Sequence, residues 1–258
     1  MKFIEECAVL LQKEISQGIF DMTLQTEHIA RNAAAGQFVS LYCNNGSRLL
    51  PRPVSLCGID PERGSLRLVY RVTGKGTGTE EFSKLKKGDT IRVEGPLGNG
   101  FDTGISPEKT VMIIGGGIGI PPMLETAKQI RARRKIILGY RDDLFLYDEF
   151  EKLGETYVST EDGSYGTKGN VLDVIREKDI KADLIYACGP RPMLKALKTW
   201  AEEQKIPCYL SMEERMACGI GACLACVCAS TEKDPHTNVQ NKRVCKEGPV
   251  FLSTEVVL

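Results

Sequence analysis

The chain has 258 residues, enough for two domains, or one large one, with substantial buried cores. Lys plus Arg and Asp plus Glu each number 34, so the formal net charge is zero and neither a nucleic acid nor an anionic membrane is expected as a partner. No signal-peptide core follows the start, and the most apolar stretch, residues 111–124, is too short to span a bilayer. These features predict a soluble, cytoplasmic protein.

Residues 1–104 are predicted to form a small antiparallel β-barrel. Short runs in this region alternate apolar and polar residues, as half-buried strands do. Turn signals such as Asn44-Asn45-Gly46 and Asp60-Pro61-Glu62-Arg63-Gly64 separate them. Several short strands at roughly even spacing are typical of a barrel. The runs cover residues 20–24, 37–43, 65–72 and 90–94.

Residues 105–207 are predicted to form a doubly wound parallel α/β domain. Val111-Met112-Ile113-Ile114 is a continuous apolar run, typical of a strand buried on both faces. Apolar runs then alternate with helix-like segments, which indicates a parallel sheet with helices on both sides. The predicted strands are 111–114, 136–140, 156–159 and 184–187, and the predicted helices are 123–133, 145–153, 171–177 and 192–203.

The ten cysteines are distributed unevenly. Five are scattered, and five lie between positions 218 and 245. Scattered cysteines in such a chain are mostly buried small hydrophobic residues, whereas a tight cluster predicts a metal site. Only two histidines, His28 and His236, are present, so catalysis built on histidine acid–base chemistry is not expected.

Residues 208–258 are predicted to form a small iron–sulfur module. Cys218-x4-Cys223-x2-Cys226 is followed 19 positions later by Cys245. This is the plant-type spacing of a [2Fe–2S] cluster, in which one loop supplies three thiolates and a later residue supplies the fourth. These four cysteines are therefore the predicted ligands.

Two glycines and a fifth cysteine accompany these ligands. Gly219 and Gly221 would let the backbone fold close to the inorganic sulfides and aim N–H groups at them. Cys228 is a further candidate, expected instead to be a buried thiol on the strand that leaves the cluster. A structural zinc site is the alternative, although zinc sites usually pair two short Cys-x2-Cys hooks and the second hook is missing.

Two glycine turns predict a nicotinamide nucleotide site. Gly115-Gly116-Gly117-Ile118-Gly119 follows a buried strand and precedes a helix, where a pyrophosphate can approach free N–H groups. It is not the fingerprint G-x-G-x-x-G, because Ile120 occupies the last glycine position, and a merely structural turn is the alternative. Cys188-Gly189-Pro190 ends another buried strand, so both turns are expected at the carboxyl edge of one sheet, where ligands bind.

These pieces, in this order, resemble the ferredoxin–NADP reductase superfamily. Arg52-Pro53-Val54-Ser55 matches the barrel strand that binds flavin, which implies that the arginine pairs with the FAD pyrophosphate and the serine donates near the ring. Val69-Tyr70-Arg71 matches the next flavin strand. Gly76-Thr77 matches the glycine turn on the FAD phosphates.

More narrowly, the whole chain resembles the electron-transfer subunits of type B dihydroorotate dehydrogenases. The matching segments are 212–226, 95–101 and 186–193; the one departure noted is Ile120-Pro121-Pro122, where many superfamily members have Val-Ala-Pro. The resemblance implies FAD, one [2Fe–2S] cluster and NAD as cofactors. It also implies an FMN-containing catalytic partner that oxidises dihydroorotate in pyrimidine biosynthesis, in a heterotetramer of two plus two chains.

Two other functions remain as alternatives. A relay subunit of an electron-bifurcating ferredoxin:NADP oxidoreductase, or of a hydrogenase, shares the barrel, sheet and cluster, but the first ligand in the bifurcating family is an aspartate, whereas this chain has Cys218. A redox-sensing or zinc-stapled binding module without flavin belongs to a different class.

The cofactor set predicts a relay. Nicotinamide exchanges a hydride, a cluster takes one electron, and a flavin does either, so the flavin must lie between them. Asp142-Asp143, after the second strand of the sheet, predicts NADH over NADPH, with Arg141 acting against this preference. Cys188 either supports the nicotinamide or is a buried thiol. The chain alone is expected not to oxidise dihydroorotate, and residues 213–227 are expected to face the partner.

Overall fold

Six antiparallel strands close into a barrel in the computed structural model, which describes residues 1–44, 46, 48–233 and 238–258. The strands are β1 (Phe3–Ser16), β2 (Ile19–Gln25), β3 (Phe38–Leu41), β4 (Arg52–Asp60), β5 (Ser65–Arg71) and β6 (Thr90–Leu97). Their order is β1-β2-β5-β4-β3-β6, closed where β6 pairs with β1. Two short helices, α1 (Ile29–Asn32) and α2 (Gly78–Ser83), complete this part. The predicted barrel is confirmed.

The first barrel strand was not among the predicted runs. β1 is 14 residues long and carries charged residues on both of its ends, so its polar and apolar positions do not alternate cleanly. It nevertheless forms one wall of the barrel because it pairs with β2 along one edge and with β6 along the other. The predicted turn at Asn44-Asn45-Gly46 includes Asn45, which lies outside the described residues, as does His236.

A seven-stranded sheet follows. The remaining strands are β7 (Thr110–Gly116), β8 (Arg133–Tyr140), β9 (Glu155–Thr160), β10 (Thr167–Lys168), β11 (Leu184–Cys188), β12 (Cys208–Ser211), β13 (Val227–Ala229), β14 (Asn241–Arg243) and β15 (Val250–Leu252). The sheet order is β10-β9-β8-β7-β11-β12-β15, and all strands are parallel except β15, which runs antiparallel to β12.

Helices cover both faces of this sheet. They are α3 (Ile120–Gln129), α4 (Tyr147–Glu151), α5 (Val171–Glu177) and α6 (Arg191–Gln204). Successive residues of β7 point to opposite faces, so that Met112 packs with α5 and α6 and Ile113 packs with α3 and α4. This two-sided burial produces the continuous apolar runs of the strands and confirms the doubly wound architecture.

The residues at a helix start explain why α3 begins earlier than predicted and why α5 begins where predicted. α3 begins at Ile120 rather than Met123, because the first helical turn needs no backbone N–H donor and accepts Pro121 and Pro122. α5 begins as predicted at Val171: Asn170 accepts from the Leu172 N–H at 2.9 Å, and the Asp173 carboxylate accepts from the Asn170 N–H at 2.8 Å.

The strands of the last fifty residues belong to two different sheets. β13 and β14 form a hairpin of their own, whereas β12 and β15 extend the seven-stranded sheet. The limits 1–104, 105–207 and 208–258 stay a prediction; residues beyond 207 contribute two strands to the sheet that the preceding region forms. Among the helices the structure describes, none has the length and apolar character needed to cross a membrane.

A half-buried arginine joins the barrel to the α/β part. Arg67 of β5 donates two parallel hydrogen bonds, at 3.0 and 2.9 Å, to Asp21 of β2, which is 1% exposed. Its third nitrogen contacts Glu149 of α4 at 2.8 Å. Nearby, the Glu125 carboxylate of α3 accepts from the Ile59 N–H of β4 at 3.2 Å. These contacts fix the two parts relative to each other around the sites described below.

Candidate cofactor sites

The four cysteines predicted as cluster ligands lie together in two pairs. Cys218 and Cys223 form one pair, in which the Cys218 N–H donates to the sulfur of Cys223 at 3.5 Å and the Cys223 N–H donates to the sulfur of Cys218 at 3.4 Å. Cys226 and Cys245 form the other, with their sulfurs 3.1 Å apart. Over the described residues, no three His, Cys, Asp or Glu side chains are arranged around a single ion position. Two thiol pairs match the ligand arrangement of a two-iron cluster, in which each iron takes two cysteines.

Backbone N–H groups point at the cysteine sulfurs. Ala222 donates to the sulfur of Cys218 at 3.3 Å, and Cys245 donates to that of Cys226 at 3.4 Å. Burial raises the pKa of Cys218, but hydrogen bonds from the loop backbone, that of Cys223 foremost, outweigh it and lower this pKa to about 6. Burial and the hydrogen bond with Cys226 instead raise the pKa of Cys245 to about 12. The donors favour thiolate at the first cysteine, the form that binds metal.

The loop has the backbone conformation that the sequence predicted. Gly219 and Gly221 have φ values of 68° and 90°, which ordinary side chains rarely adopt. A Cβ on Gly219 would lie 3.1 Å from the Ser40 hydroxyl of β3, so the loop packs directly on the barrel. Cys228 lies on β13 at 4% exposure, within the apolar core beside α6, as predicted for a buried thiol.

The segment around Asn99 holds the turn that follows Cys245. The Asn99 side chain donates to the carbonyls of Lys246 and Glu247 at 2.9 and 3.0 Å. Its N–H donates to the Gly248 carbonyl at 2.6 Å, and a Cβ on Gly98 would lie 2.5 Å from Pro249. This conformation requires glycine and asparagine within residues 95–101 and fixes the fourth cysteine against the barrel.

A cavity of about 250 Å³ lies between the barrel and the segment that leads to the first cysteine. Six of the predicted flavin residues line it, namely Pro53, Val54, Ser55, Val69, Tyr70 and Arg71. The ring of Tyr70 is 3% exposed and packs inside the barrel, where its hydroxyl accepts from Gln12 at 2.8 Å. Burial raises the pKa of Tyr70 to about 12. Tyr70 therefore presents little beyond its main chain to the cavity.

The other predicted flavin residues surround the start of α2. The Arg52 side chain packs on Gly78, where a Cβ would meet its Nε at 3.1 Å. Thr77 caps this helix by accepting from the Glu80 N–H, and its hydroxyl lies 3.0 Å from that of Thr79, which lines the cavity. Gly76 has a φ of 73°. The Arg52 guanidinium, a glycine turn and hydroxyls thus lie together beside the cavity, a donor set suited to phosphate oxygens.

The far wall of this cavity was not predicted as flavin-binding. Met212, Glu213, Glu214 and Met216 line it, just after β12 ends. No local pattern marks these residues; their position after a sheet strand, directly before Cys218, is the one feature that could have suggested their role. Consecutive Cα atoms are at most about 3.8 Å apart, so the Cα atom of Met216, which lines the cavity, lies within roughly 8 Å of the Cα atom of Cys218.

A second cavity, of about 650 Å³, opens at the carboxyl edge of the sheet. Gly116, Gly117 and Pro190 line it, as predicted for a nicotinamide nucleotide. Gly117 has a φ of 52°, and no heavy atom of the described residues lies within 4 Å of where its Cβ would be. Arg71 lines this cavity as well as the first. The two cavities are therefore neighbours.

The opposite end of the second cavity is acidic. Asp142, Asp143 and Glu161 line it together with Arg141. The Ser16 hydroxyl at the end of β1 donates to Asp143 at 2.5 Å, which ties the barrel to this rim. Glu161, which follows the last residue of β9, was not among the predicted residues.

Four of the predicted nicotinamide residues pack the two turns against each other and do not line the cavity. A Cβ on Gly119 would lie 2.5 Å from the Cys188 carbonyl and 2.6 Å from the Gly189 nitrogen. A Cβ on Gly115 would meet Ile120 at 2.9 Å. Cys188 is 1% exposed, and burial raises the pKa of its thiol well above the usual range. Cys188 is thus a core thiol, the second of its two predicted roles.

Comparison with known proteins identifies the family. Residues 213–257 match the iron–sulfur cluster binding domain of dihydroorotate dehydrogenase B, and residues 6–101 match the oxidoreductase FAD-binding domain. Electron transfer subunits of dihydroorotate dehydrogenase B (NAD(+)) from Fusobacterium nucleatum and from Geobacillus sp. are each 44% identical to this chain, covering 98% of both sequences. The chain belongs to this family of electron transfer subunits. As a member, it has a FAD-binding domain and an iron–sulfur domain and acts in an oxidoreductase with a catalytic partner.

Solved structures agree with the fold. The NADH-dependent reduced ferredoxin-NADP oxidoreductase, studied for flavin-based electron bifurcation, aligns with a TM-score of 0.86 at 29% identity over 97% of this chain and 89% of that one. The ferredoxin reductase of carbazole 1,9a-dioxygenase aligns with a TM-score of 0.68 at 20% identity over 80% of this chain and 67% of that one. At 20% identity, this second likeness shows the fold alone.

Proposed function

We propose that this cytoplasmic chain carries electrons from an FMN-containing dihydroorotate dehydrogenase subunit through one [2Fe–2S] cluster and FAD to NAD, in pyrimidine biosynthesis. Two copies of each chain would form the complex. One observation carries the proposal. Met212 and Met216 line the flavin cavity, and the first cluster cysteine, Cys218, follows Met216 two residues later.

The residues present fit the cofactors. Cys218 and Cys223 would hold one iron, and Cys226 and Cys245 the other, because they form the two pairs. The cavity between Ser55 and Met216 suits a flavin ring, and the cation and hydroxyls around α2 suit its phosphates. When bound, flavin would take single electrons and give up a hydride, which matches a one-electron carrier to the two-electron acceptor NAD.

The protein residues supply placement. Gly117 leaves room for a pyrophosphate beside the start of α3, Gly116 lets Met193 of α6 pack closely, and Gly119 keeps the two glycine turns in contact. Arg71 borders both cavities and can hold a phosphate or a ring edge at their junction. None of these roles needs histidine acid–base chemistry.

We propose NADH as the preferred nucleotide. Asp142, Asp143 and Glu161 place three carboxylates at one end of the nicotinamide cavity, against the single guanidinium of Arg141. A carboxylate accepts from a ribose 2′-hydroxyl and repels a 2′-phosphate. The acidic excess therefore favours NADH.

The cluster loop would face the catalytic partner. Ile220 and Leu224 are 42% and 52% exposed, and the Cys223 side chain between them is also exposed. Apolar residues at the centre of a docking surface exclude water and bring the cluster close to the partner. Residues 213–227 are accordingly the proposed contact.

Reconstitution of the complex tests the proposal. The flavin-loaded chain alone should reduce a dye with NADH and form no orotate from dihydroorotate. Addition of the FMN-containing subunit should produce dihydroorotate-dependent NAD reduction. Cys223→Ser should abolish the coupled reaction while most NADH–dye activity remains. Orotate formation by the chain alone, or a coupled reaction indifferent to Cys223, would refute the relay.

A further inference from the structure

Arg243 connects the two thiol pairs. It is the last residue of β14 and pairs with Val227 of β13, so its main chain belongs to the hairpin next to Cys226 and Cys245. Its side chain extends to the other half of the site, where one terminal nitrogen donates to the Gly221 carbonyl at 3.0 Å. Gly221 lies between Cys218 and Cys223. One side chain thus spans both halves of the site.

The bond to Gly221 fixes a peptide plane. The Gly221 carbonyl and the Ala222 N–H belong to one rigid planar unit and point in opposite directions. That same N–H donates to the sulfur of Cys218 at 3.3 Å. Gly221 has a φ of 90° and could rotate freely without this contact. Holding the oxygen therefore aims the N–H at the sulfur.

The guanidinium is itself held in place. Its Nε contacts both carboxylate oxygens of Glu247 at 3.1 Å, and a terminal nitrogen of Arg243 makes a short bond to the same group. Glu247 also accepts from the Arg243 N–H at 2.7 Å. A forked contact of this kind leaves the planar group little rotational freedom. Neither the mechanism above nor the cysteine spacing assigns Arg243 a function.

We infer that Arg243 is a positioning residue for the cluster: it aims the Ala222 N–H at the Cys218 sulfur and thereby raises the reduction potential of the iron–sulfur centre. The inference rests on the proposed [2Fe–2S] site. Reduction adds negative charge, which spreads onto the ligand sulfurs. An N–H bond to sulfur, polarised by a cation on the far side of its peptide, stabilises the reduced form more than the oxidised one.

The test measures the midpoint potential of the flavin-loaded full chain by redox titration followed by electron paramagnetic resonance. Arg243→Met removes the charge and every donor while keeping an unbranched side chain. It should lower the ratio of reduced to oxidised cluster at fixed potential about tenfold. For a one-electron couple, this corresponds to a midpoint potential lower by about 59 mV. Arg243→Lys, which keeps a charged donor, should recover most of the shift.

Lys246→Met is the matched control. Lys246 is exposed, adjoins Cys245 and packs its stem on Gly221, so the variant removes one nearby positive charge without removing Arg243 or its bond. In Lys246→Met, the ratio of reduced to oxidised cluster at fixed potential should change less than about twofold, because an exposed charge is screened by solvent. An Arg243→Met potential equal to the unmodified one, or a Lys246→Met shift as large as that of Arg243→Met, would overturn the inference.

Two further outcomes are decided in advance. If Arg243→Met binds no iron, Arg243→Gln, which also removes the charge, replaces it in the titration. A potential lowered in Arg243→Gln but not in Lys246→Met supports the positioning role, and an Arg243→Gln potential equal to the unmodified one overturns it. If the unmodified chain contains no iron and gives no cluster signal, the proposed function fails, and the inference with it. A normal cluster indifferent to Arg243 refutes this inference alone.

Discussion

Replacing Gly119 by alanine tests whether the contact between the two glycine turns sets the nicotinamide site. The added Cβ would lie 2.5 Å from the carbonyl carbon and oxygen of Cys188, whereas ordinary van der Waals contact begins at 3.4 Å. The turns would have to separate by about 0.9 Å, the difference between those two distances. Both sides of the contact are backbone, so no side chain can rotate away.

The expected cost follows from this displacement. Overpacking of this kind reduces the free energy of unfolding by about 2–3 kcal/mol. A shift of about 1 Å in a reacting geometry lowers activity roughly 100-fold. We therefore expect Gly119→Ala to lower kcat/KM for NADH in the dye-reduction assay by about two orders of magnitude. The cluster signal should stay unchanged, because the cysteine loop packs on Ser40 and Leu97 of the barrel.

Gly88→Ala provides the matched control, because Gly88 lines neither cavity. Among the described residues no heavy atom lies within 4 Å of its Cβ position, so the substitution adds only the conformational cost of a φ of 96°, about 1–2 kcal/mol. Its effect on kcat/KM should be much smaller than that of Gly119→Ala. Wild-type kinetics and wild-type stability in Gly119→Ala would refute the argument that close backbone approach organises this site.

Three more outcomes are expected. Cys228→Ser should leave the electron paramagnetic resonance signal intact, since this thiol is buried in the core, whereas Cys223→Ser should destroy or alter the signal; an unchanged Cys223→Ser spectrum contradicts the ligand assignment. Steady-state kcat/KM should be higher with NADH than with NADPH, and Glu161→Arg should lower the ratio of kcat/KM for NADH to that for NADPH. A wild-type preference for NADPH contradicts the role of the acidic rim. Arg67→Met should lower the free energy of unfolding by about 3 kcal/mol, because among the described residues it leaves the buried Asp21 carboxylate with only the Lys13 ammonium, 3.9 Å away. Denaturant titration measures this against the exposed Arg63→Met, for which a change of equal size would be contrary evidence.

Local patterns in the sequence predicted features that depend on neighbouring residues. The spacing of Cys218, Cys223 and Cys226 specifies a loop around a small inorganic centre, because each interval fixes how far apart sulfurs can be. The run Val111–Ile114 predicted a strand buried on both faces, since both of its sides are apolar. The predicted start of the helix over 171–177 agrees with α5, whose N-cap residue is Asn170.

The same patterns do not reveal which segments meet. β1 was not predicted, because its polar and apolar residues do not alternate regularly and its position is determined by pairing with β2 and β6. The wall of the flavin cavity at Met212–Met216 depends on where β12 ends relative to a barrel more than a hundred residues earlier in the chain. Such contacts are between residues remote in sequence, and no periodicity records them.

Glycines illustrate the division most clearly. By sequence alone, Gly115, Gly116, Gly117 and Gly119 were equivalent candidates for a phosphate turn. Tertiary structure separates them: Gly117 opens onto the cavity, whereas Gly119 is needed for contact with the backbone of Cys188. Likewise, the spacing predicted Cys245 as the fourth ligand, but it did not predict that Arg243 reaches the Gly221 carbonyl. The sequence by itself determined which residue types were available, and only the packing of distant segments decided which of their atoms face a ligand and which face the protein.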